Sequence, residues 1–279
     1  MDASRGSLPS TLLEESVSPS YDKLSSERLY ENANQRCRLN ASPTDLKEAV
    51  RNYRKLQQRI TDGETSVVAF DVRWRMSKAM FFIAEIEPDD DNKKTWLSKA
   101  EFFAEKAMAD CSHCVEGYYY AAAIKGRIAE ISGNGLKALK LVKRVLSLGQ
   151  KAVEIDESFE NGAPLRLLAM LYAKAPPWPA SVGDMDLALE TAQRALSISD
   201  YPMNHLIMAE VLIEDDELEA AVLELDNVLD APLDIPEDED SDEGSAEDGD
   251  RRNSTWTEEA ALWRPYAAEL KRKTVARLH

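Results

Sequence analysis

Histidine is scarce in this chain, and its scarcity removes most routes to catalysis. Among 279 residues only His113, His205 and His279 are present, so a nucleophile paired with an imidazole base has few places to form. No Gly-x-Ser-x-Gly elbow, Gly-rich phosphate loop or His-Glu-x-x-His pair occurs, and each of those motifs carries its own chemistry. No enzymatic activity, cofactor or metal is therefore expected. Cysteine is equally rare: three residues, an odd number, argue against a disulfide framework. No run approaches the ~18 apolar residues of a membrane span. The first twenty residues are polar and carry Glu14 and Glu15, with no basic cluster followed by an apolar core. Read alone, they are not a secretory leader, and the expected location is the cytoplasm.

Bases are missing altogether from residues 232–250, which hold ten carboxylates, among them Asp234, Glu237, Asp238, Glu239 and Asp240. Without those ten the formal charge falls from −17 to −7. Neither part offers the basic footprint that a phosphate backbone demands, which excludes nucleic acid as an expected partner and disfavours an anionic membrane surface. The acidic run reads as a solvated loop that cannot offset its ordering entropy. In function it would attract a basic partner and speed association at low salt.

What is abundant is helical pattern. Apolar residues make up 44% of the chain and charged ones 30%, as in soluble globular proteins. Glycine and proline are few and fall between periodic stretches, where helical hairpins need turns. The pentapeptide Ala104-Glu105-Lys106-Ala107-Met108 returns as Gly149-Gln150-Lys151-Ala152-Val153 and again as Ala192-Gln193-Arg194-Ala195-Leu196. The copies lie about 45 and 43 residues apart, each followed by a short polar break and a second apolar helical stretch. A helix pair of this length cannot bury its apolar face alone, so neighbouring copies must stack.

The spacing predicts helices over 68–87, 96–109, 115–131, 136–155, 162–173, 184–199, 203–213, 217–229 and 256–278. An earlier helix opens at Ser42-Pro43-Thr44-Asp45, with Thr44 as its cap, and carries the stripe Leu46, Ala49, Val50, Tyr53 and Leu56. Ala188 and Ala221 are 33 residues apart in the last two hairpins, whereas Ala169 and Ala209, in the preceding helices, are 40 apart. The seven extra residues belong to the proline-rich loop around Pro176-Pro177-Trp178-Pro179. A spacing near 34 is the tetratricopeptide (TPR) unit. The expected fold is all-α: stacked hairpins of degenerate TPR-like repeats, an α-solenoid, closed by a C-terminal capping helix. The expected organisation is a leader over 1–20, a repeat domain over 21–231, an acidic loop over 232–254 and a capping helix over 255–279.

Several short motifs have both a chemical and a plain structural reading. Cys111-Ser112-His113-Cys114 could supply two zinc thiolates or a redox couple, but zinc needs four ligands and no second pair stands at suitable spacing. The plain reading is that these small residues fill a turn between repeat helices. Glu214-Asp215-Asp216-Glu217 could gather a metal, but more simply caps a helix start. Phe81, Phe82, Phe102, Phe103 and Trp96 are assigned to the core. Trp178 could anchor a partner, fold as a lid onto a groove, or pack inward to close its hairpin.

One stretch carries a family resemblance. Asn161-Gly162-Ala163-Pro164-Leu165-Arg166-Leu167-Leu168-Ala169-Met170-Leu171-Tyr172, followed by Ala175-Pro176 and Gly183-Asp184, resembles the TPR-like T component associated with TRAP-type transporters. The likeness covers about residues 95–232 and, more weakly, the last helix. It implies degenerate TPR hairpins, a pocket or pore for an apolar or carboxylate-bearing ligand, and partnership with an extracytoplasmic solute-binding protein.

In such a stack the first helix of each hairpin lines the concave side. If Ala123, Ala169 and Ala209 are the small packing positions, the residues three before and one after each face the groove. That selects Tyr120, Ile124, Arg166, Met170, Leu206 and Glu210, with Arg127 extending the same face and Trp178 beside it. The expected function is a non-catalytic scaffold that holds a protein or peptide there. The alternative is a small apolar or carboxylate ligand, as the resemblance implies.

Overall fold

The computed structural model describes residues 24–38, 41–133, 135–231 and 256–278. The expected leader over 1–20 and the acidic loop over 232–254 lie outside the described residues. Eleven helices are described: α1 (Ser26–Arg36), α2 (Pro43–Thr61), α3 (Ala69–Ile86), α4 (Asp90–Asp110), α5 (Val115–Ile131), α6 (Leu136–Asp156), α7 (Phe159–Lys174), α8 (Met185–Ile198), α9 (Pro202–Glu214), α10 (Leu218–Asp230) and α11 (Trp256–Leu278).

Local chemistry sets several starts. Asp89 caps α4 through the Asn92 amide at 2.8 Å, and Asp184 caps α8 through that of Leu187 at 3.1 Å. Each such cap contributes about 1 kcal/mol. At α2 the cap is Ser42, which accepts from the Asp45 amide at 3.0 Å, and not Thr44 as expected. Pro43 explains the shift: its fixed φ suits the first helical position, so capping falls to the residue before it. The acidic cluster also differs from expectation. Glu217 stands at the start of α10 without a side-chain cap, and Asp216, at φ 61°, accepts from Arg277 of α11 at 2.8 Å.

Consecutive helices pack against one another throughout. Beyond that, α3 touches α5, α5 touches α7, α7 touches α9, and α9 touches α11. Even-numbered helices form no comparable succession. From α3 onward the odd-numbered helices thus make one continuous layer and the even-numbered ones a second, more open layer. The layer with mutual contacts is termed the inner layer, and the other the outer one.

The repeated pentapeptide ends three outer helices, α4, α6 and α8. Its small residues are the seams: Ala104, Ala107, Ala152, Ala192 and Ala195 are all fully or almost fully buried. At each seam a neighbouring inner helix comes very close. A Cβ on Gly117 of α5 would lie 2.9 Å from the Met108 nitrogen; one on Gly149 of α6 would lie 2.7 Å from the Leu168 side chain; one on Gly162 of α7 would lie 3.5 Å from Ala195. Ala188, Ala221, Ala169 and Ala209 are likewise completely buried.

Three buried clusters follow. The largest runs from Leu29 in α1 to Phe159 at the head of α7. A second joins Ala169, Ala188, Ala192, Met208 and Val211. The third packs Leu206, Ala209, Leu225 and Val228 against Trp263 and Ala267 of α11, which therefore caps the stack. Trp96 and Phe103 are core residues as expected, but Phe81, Phe82 and Phe102 are only half-buried and pack against the core from outside it.

Candidate functional site: the inner wall and its rim

The inner wall is organised around an unusual turn at the head of α7. Glu160, Asn161 and Gly162 all occupy left-handed backbone, at φ 43°, 57° and 86°. Gly162 does so at little cost, whereas a non-glycine residue there stores of order 1 kcal/mol or more. The regular helix begins only after this turn, and Pro164 falls in its first turn, where a missing amide hydrogen costs nothing.

Surrounding side chains hold the turn. Lys78 of α3 pairs with the Glu160 carboxylate at 3.0 Å, and the Tyr120 hydroxyl of α5 donates to the same oxygen at 3.0 Å. Arg166 donates to the Asn161 carbonyl at 2.6 Å and to the Glu160 carbonyl at 2.9 Å, then reaches Asn204 Oδ1 of α9 at 2.7 Å. Asn204 is fully buried and donates onward to the Ala195 and Ser199 carbonyls, at 2.9 and 2.8 Å. One network therefore ties α3, α5, α7, α8 and α9 together. Burial opposes ionisation of Glu160, but Lys78, the Tyr120 hydroxyl and Arg166 outweigh it, and its carboxyl titrates below the ordinary value. Burial, with the same carboxylate assisting, raises the Tyr119 hydroxyl to about 12 and pushes Tyr120 well above the ordinary phenol.

The structure divides the eight residues selected from the sequence. Tyr120, Ile124 and Leu206 are 1%, 0% and 3% exposed, so they are core and do not line a groove. The reason in α5 is register. Ala121 and Ala122 are the fully buried small residues, and Ala123 is only half-buried, so the seam lies one position earlier than assumed. Counting from Ala122 brings forward Tyr119, which is half-buried and does not follow from the alanine assumed. Leu206 follows the counting rule but faces the α10 and α11 packing instead.

Arg127 is engaged with Glu85 of α3 and with Glu130, and these carboxylates raise its pKa further. Arg166 belongs to the turn network. Both arginines thus fasten inner helices to one another. Met170 and Glu210 are half-buried; Glu210 pairs with Lys174 at 3.1 Å and accepts from the Tyr266 hydroxyl of α11 at 3.0 Å. Lys78, Glu160 and Asn204 escape sequence reasoning because only the fold brings them together; the sole local signal is Asn161-Gly162, a dipeptide that favours left-handed backbone.

Trp178 is 83% exposed and does not pack inward. Its loop is nonetheless closed at the base. The Gly183 amide donates to the Pro176 carbonyl at 2.9 Å, the Asp184 amide to the Tyr172 carbonyl at 3.0 Å, and Pro177 and Gly183 form an isolated β-bridge. A Cβ on Gly183 would meet the Ala175 oxygen at 2.0 Å, so only glycine fits. Two depressions lie on the surface of the described residues. One is a tight notch near Trp74 and Arg75; the other, about 520 Å³ and open, is lined by Tyr118, Arg144, Gln150, Lys151 and Glu154 among others. Neither is an enclosed apolar chamber.

Layered helical hairpins with alanine seams place this chain among TPR-like repeat proteins. The solved structure of a thermophilic TPR protein from Thermus thermophilus is similar to it, with a TM-score of 0.54 and 13% identity over 74% of this chain and 90% of that one; at that identity the likeness concerns the fold. The chain itself belongs to the TRAP transporter T-component family, whose model matches residues 77–242, well over half of its length. No curated protein matches it significantly. Among the described residues no helix is long and apolar enough to cross a membrane.

Proposed function

We propose that this T-component family member is a non-catalytic scaffold that docks a protein or peptide along its inner wall, with Trp178 as an anchor at the rim. The observation that carries the reading is the exposed indole on a loop whose two ends are tied together. A large rigid aromatic side chain loses little conformational entropy on binding, and such residues dominate interface energetics. Met170, half-buried on the wall, adds an adaptable apolar contact. Family membership supports a partner drawn from a TRAP-type transport system, such as its solute-binding protein. The acidic composition of 232–250 favours a partner with a basic surface.

The test is capture at two positions. A photoreactive amino acid replacing Trp178 should crosslink the partner in the native cell, and one replacing exposed Leu223 on α10 should not. Trp178→Ala should then weaken the isolated complex by ~2 kcal/mol or more, roughly 30-fold in Kd. Undiminished binding by Trp178→Ala would reject the rim as the docking site. The competing reading, a small carboxylate or apolar ligand, predicts instead that native mass spectrometry finds a bound small molecule; open, polar-lined depressions give it less support.

A further inference from the structure

The α4–α5 turn holds a cluster that neither the scaffold nor its rim employs. Cys111 ends α4 and Cys114 stands at the N-cap of α5, and their sulfurs are joined as a disulfide, with Cα atoms 5.5 Å apart. The turn expected from the sequence is there, but its cysteines are paired with each other and are not simply small fillers. His113, between them, is exposed and makes no hydrogen bond or ion pair among the described residues. One donor atom from each of Cys111, His113 and Cys114 lies within 4.8 Å of the other two.

We propose that these three residues form a binding site for a single zinc ion, open when the cysteines are reduced and closed when they are joined. Zinc bonds of about 2.3 Å to sulfur and 2.0 Å to imidazole place tetrahedral donors roughly 3.5–4 Å apart, so on reduction the two sulfurs part to about that distance while the imidazole donor, already within 4.8 Å of both, stays near them. Two thiolates and an imidazole suit a borderline-soft cation and select against calcium or magnesium. Cys114 stands at the N-cap of α5, where the helix dipole stabilises negative charge such as a thiolate.

The turn is also held in place. The Tyr118 hydroxyl donates to the Ser112 carbonyl at 3.2 Å, the Cys111 amide to the Ala107 carbonyl at 3.0 Å, and α4 and α5 pack so closely that a Cβ on Gly117 would lie 2.9 Å from the Met108 nitrogen. Among the described residues no fourth side chain joins the group, so the fourth position is left to water or to a residue of a bound protein.

The chemistry balances in two steps. A dithiol reductant delivers two electrons and two protons, the Cys111–Cys114 bond breaks, and the reductant becomes a disulfide. Zinc then displaces both thiol protons, giving a neutral dithiolate complex with His113 as third ligand. Oxidation by a disulfide of the glutathione class reverses the sequence and expels the ion.

The experiment uses the full chain, reduced and freed of reductant, titrated with cobalt(II) as a coloured stand-in. One equivalent should develop thiolate-to-cobalt charge-transfer absorption, and stoichiometric zinc should bleach it. The disulfide form of the same folded chain should show none. Cys37→Ser should leave the signal unchanged, Cys114→Ser should abolish it, and His113→Ala should weaken binding at least ~10-fold, the loss typical of disturbed metal sites. Absence of the band in the reduced wild-type chain overturns the proposal, as does a band that persists in the Cys111→Ser, Cys114→Ser double variant. An unchanged affinity in His113→Ala removes the histidine and, with it, the three-donor site.

Discussion

Single side chains give the sharpest tests of the packing. A Cβ added to Gly126, in the interior of α5, would meet nothing within 4 Å, whereas one on Gly183 would meet the Ala175 oxygen at 2.0 Å. Gly126→Ala should therefore stabilise the protein by about 0.5–1 kcal/mol through helix propensity. Gly183→Ala should destabilise it by ~2 kcal/mol or more through the backbone clash and loosen the Trp178 loop, as urea unfolding and Trp178 fluorescence would report. His205 supplies a pH test. Its Nδ1 meets Glu224 at 2.6 Å and its Nε2 meets Asp200 at 2.7 Å. The Glu224 hydrogen bond is the larger cause raising its pKa above 6.5, with Asp200 assisting and burial opposing. Because the folded value is the higher one, this stabilisation is complete below about pH 6.5 and is lost as pH rises through the folded value. Thermal unfolding measured across that window should show the decline, and His205→Gln should flatten it.

Between elements, the decisive joint is α7 with α9. Asn204 accepts from Arg166 and donates to two carbonyls while fully buried. Asn204→Ala strands those groups and should cost about 2–4 kcal/mol; a smaller loss in denaturant unfolding would mean that water replaces the amide. Much of this level is legible in the amino acids. The three pentapeptides announce the seams because a small residue every turn on one helix face has few other uses, and the 33- and 40-residue spacings locate the inserted loop. The wall is less legible. Tyr120 and Ile124 are misplaced by a one-residue error in choosing among Ala121, Ala122 and Ala123, three adjacent alanines that periodicity cannot distinguish. Arg127 and Arg166 look like ligand-binding cations in a sequence, but their carboxylate and carbonyl partners are supplied by the folded chain, Glu85 from α3 and Asn204 from α9 among them. Lys78 and Glu160 are 82 residues apart, and nothing local pairs them.

Across the whole molecule, apolar burial is uneven. The largest cluster occupies α1 to the head of α7, and two smaller ones serve the remainder. In an array stabilised by nearest neighbours, the part with less burial opens first. Hydrogen exchange in mild denaturant should therefore reach the amides of α9 and α10 before those of α3 and α4, and uniform exchange would show a single cooperative unit instead. The left-handed turn at Glu160 marks the boundary between these regions. The Pro176-to-Gly183 excursion lies off this architecture entirely, since its two strands of backbone meet at their base while the seams on either side stay shut. Its tip can thus be exchanged like a tool in a fixed handle: length and chemistry there can change without any helix shifting, so what the loop presents and how the stack is built can vary separately.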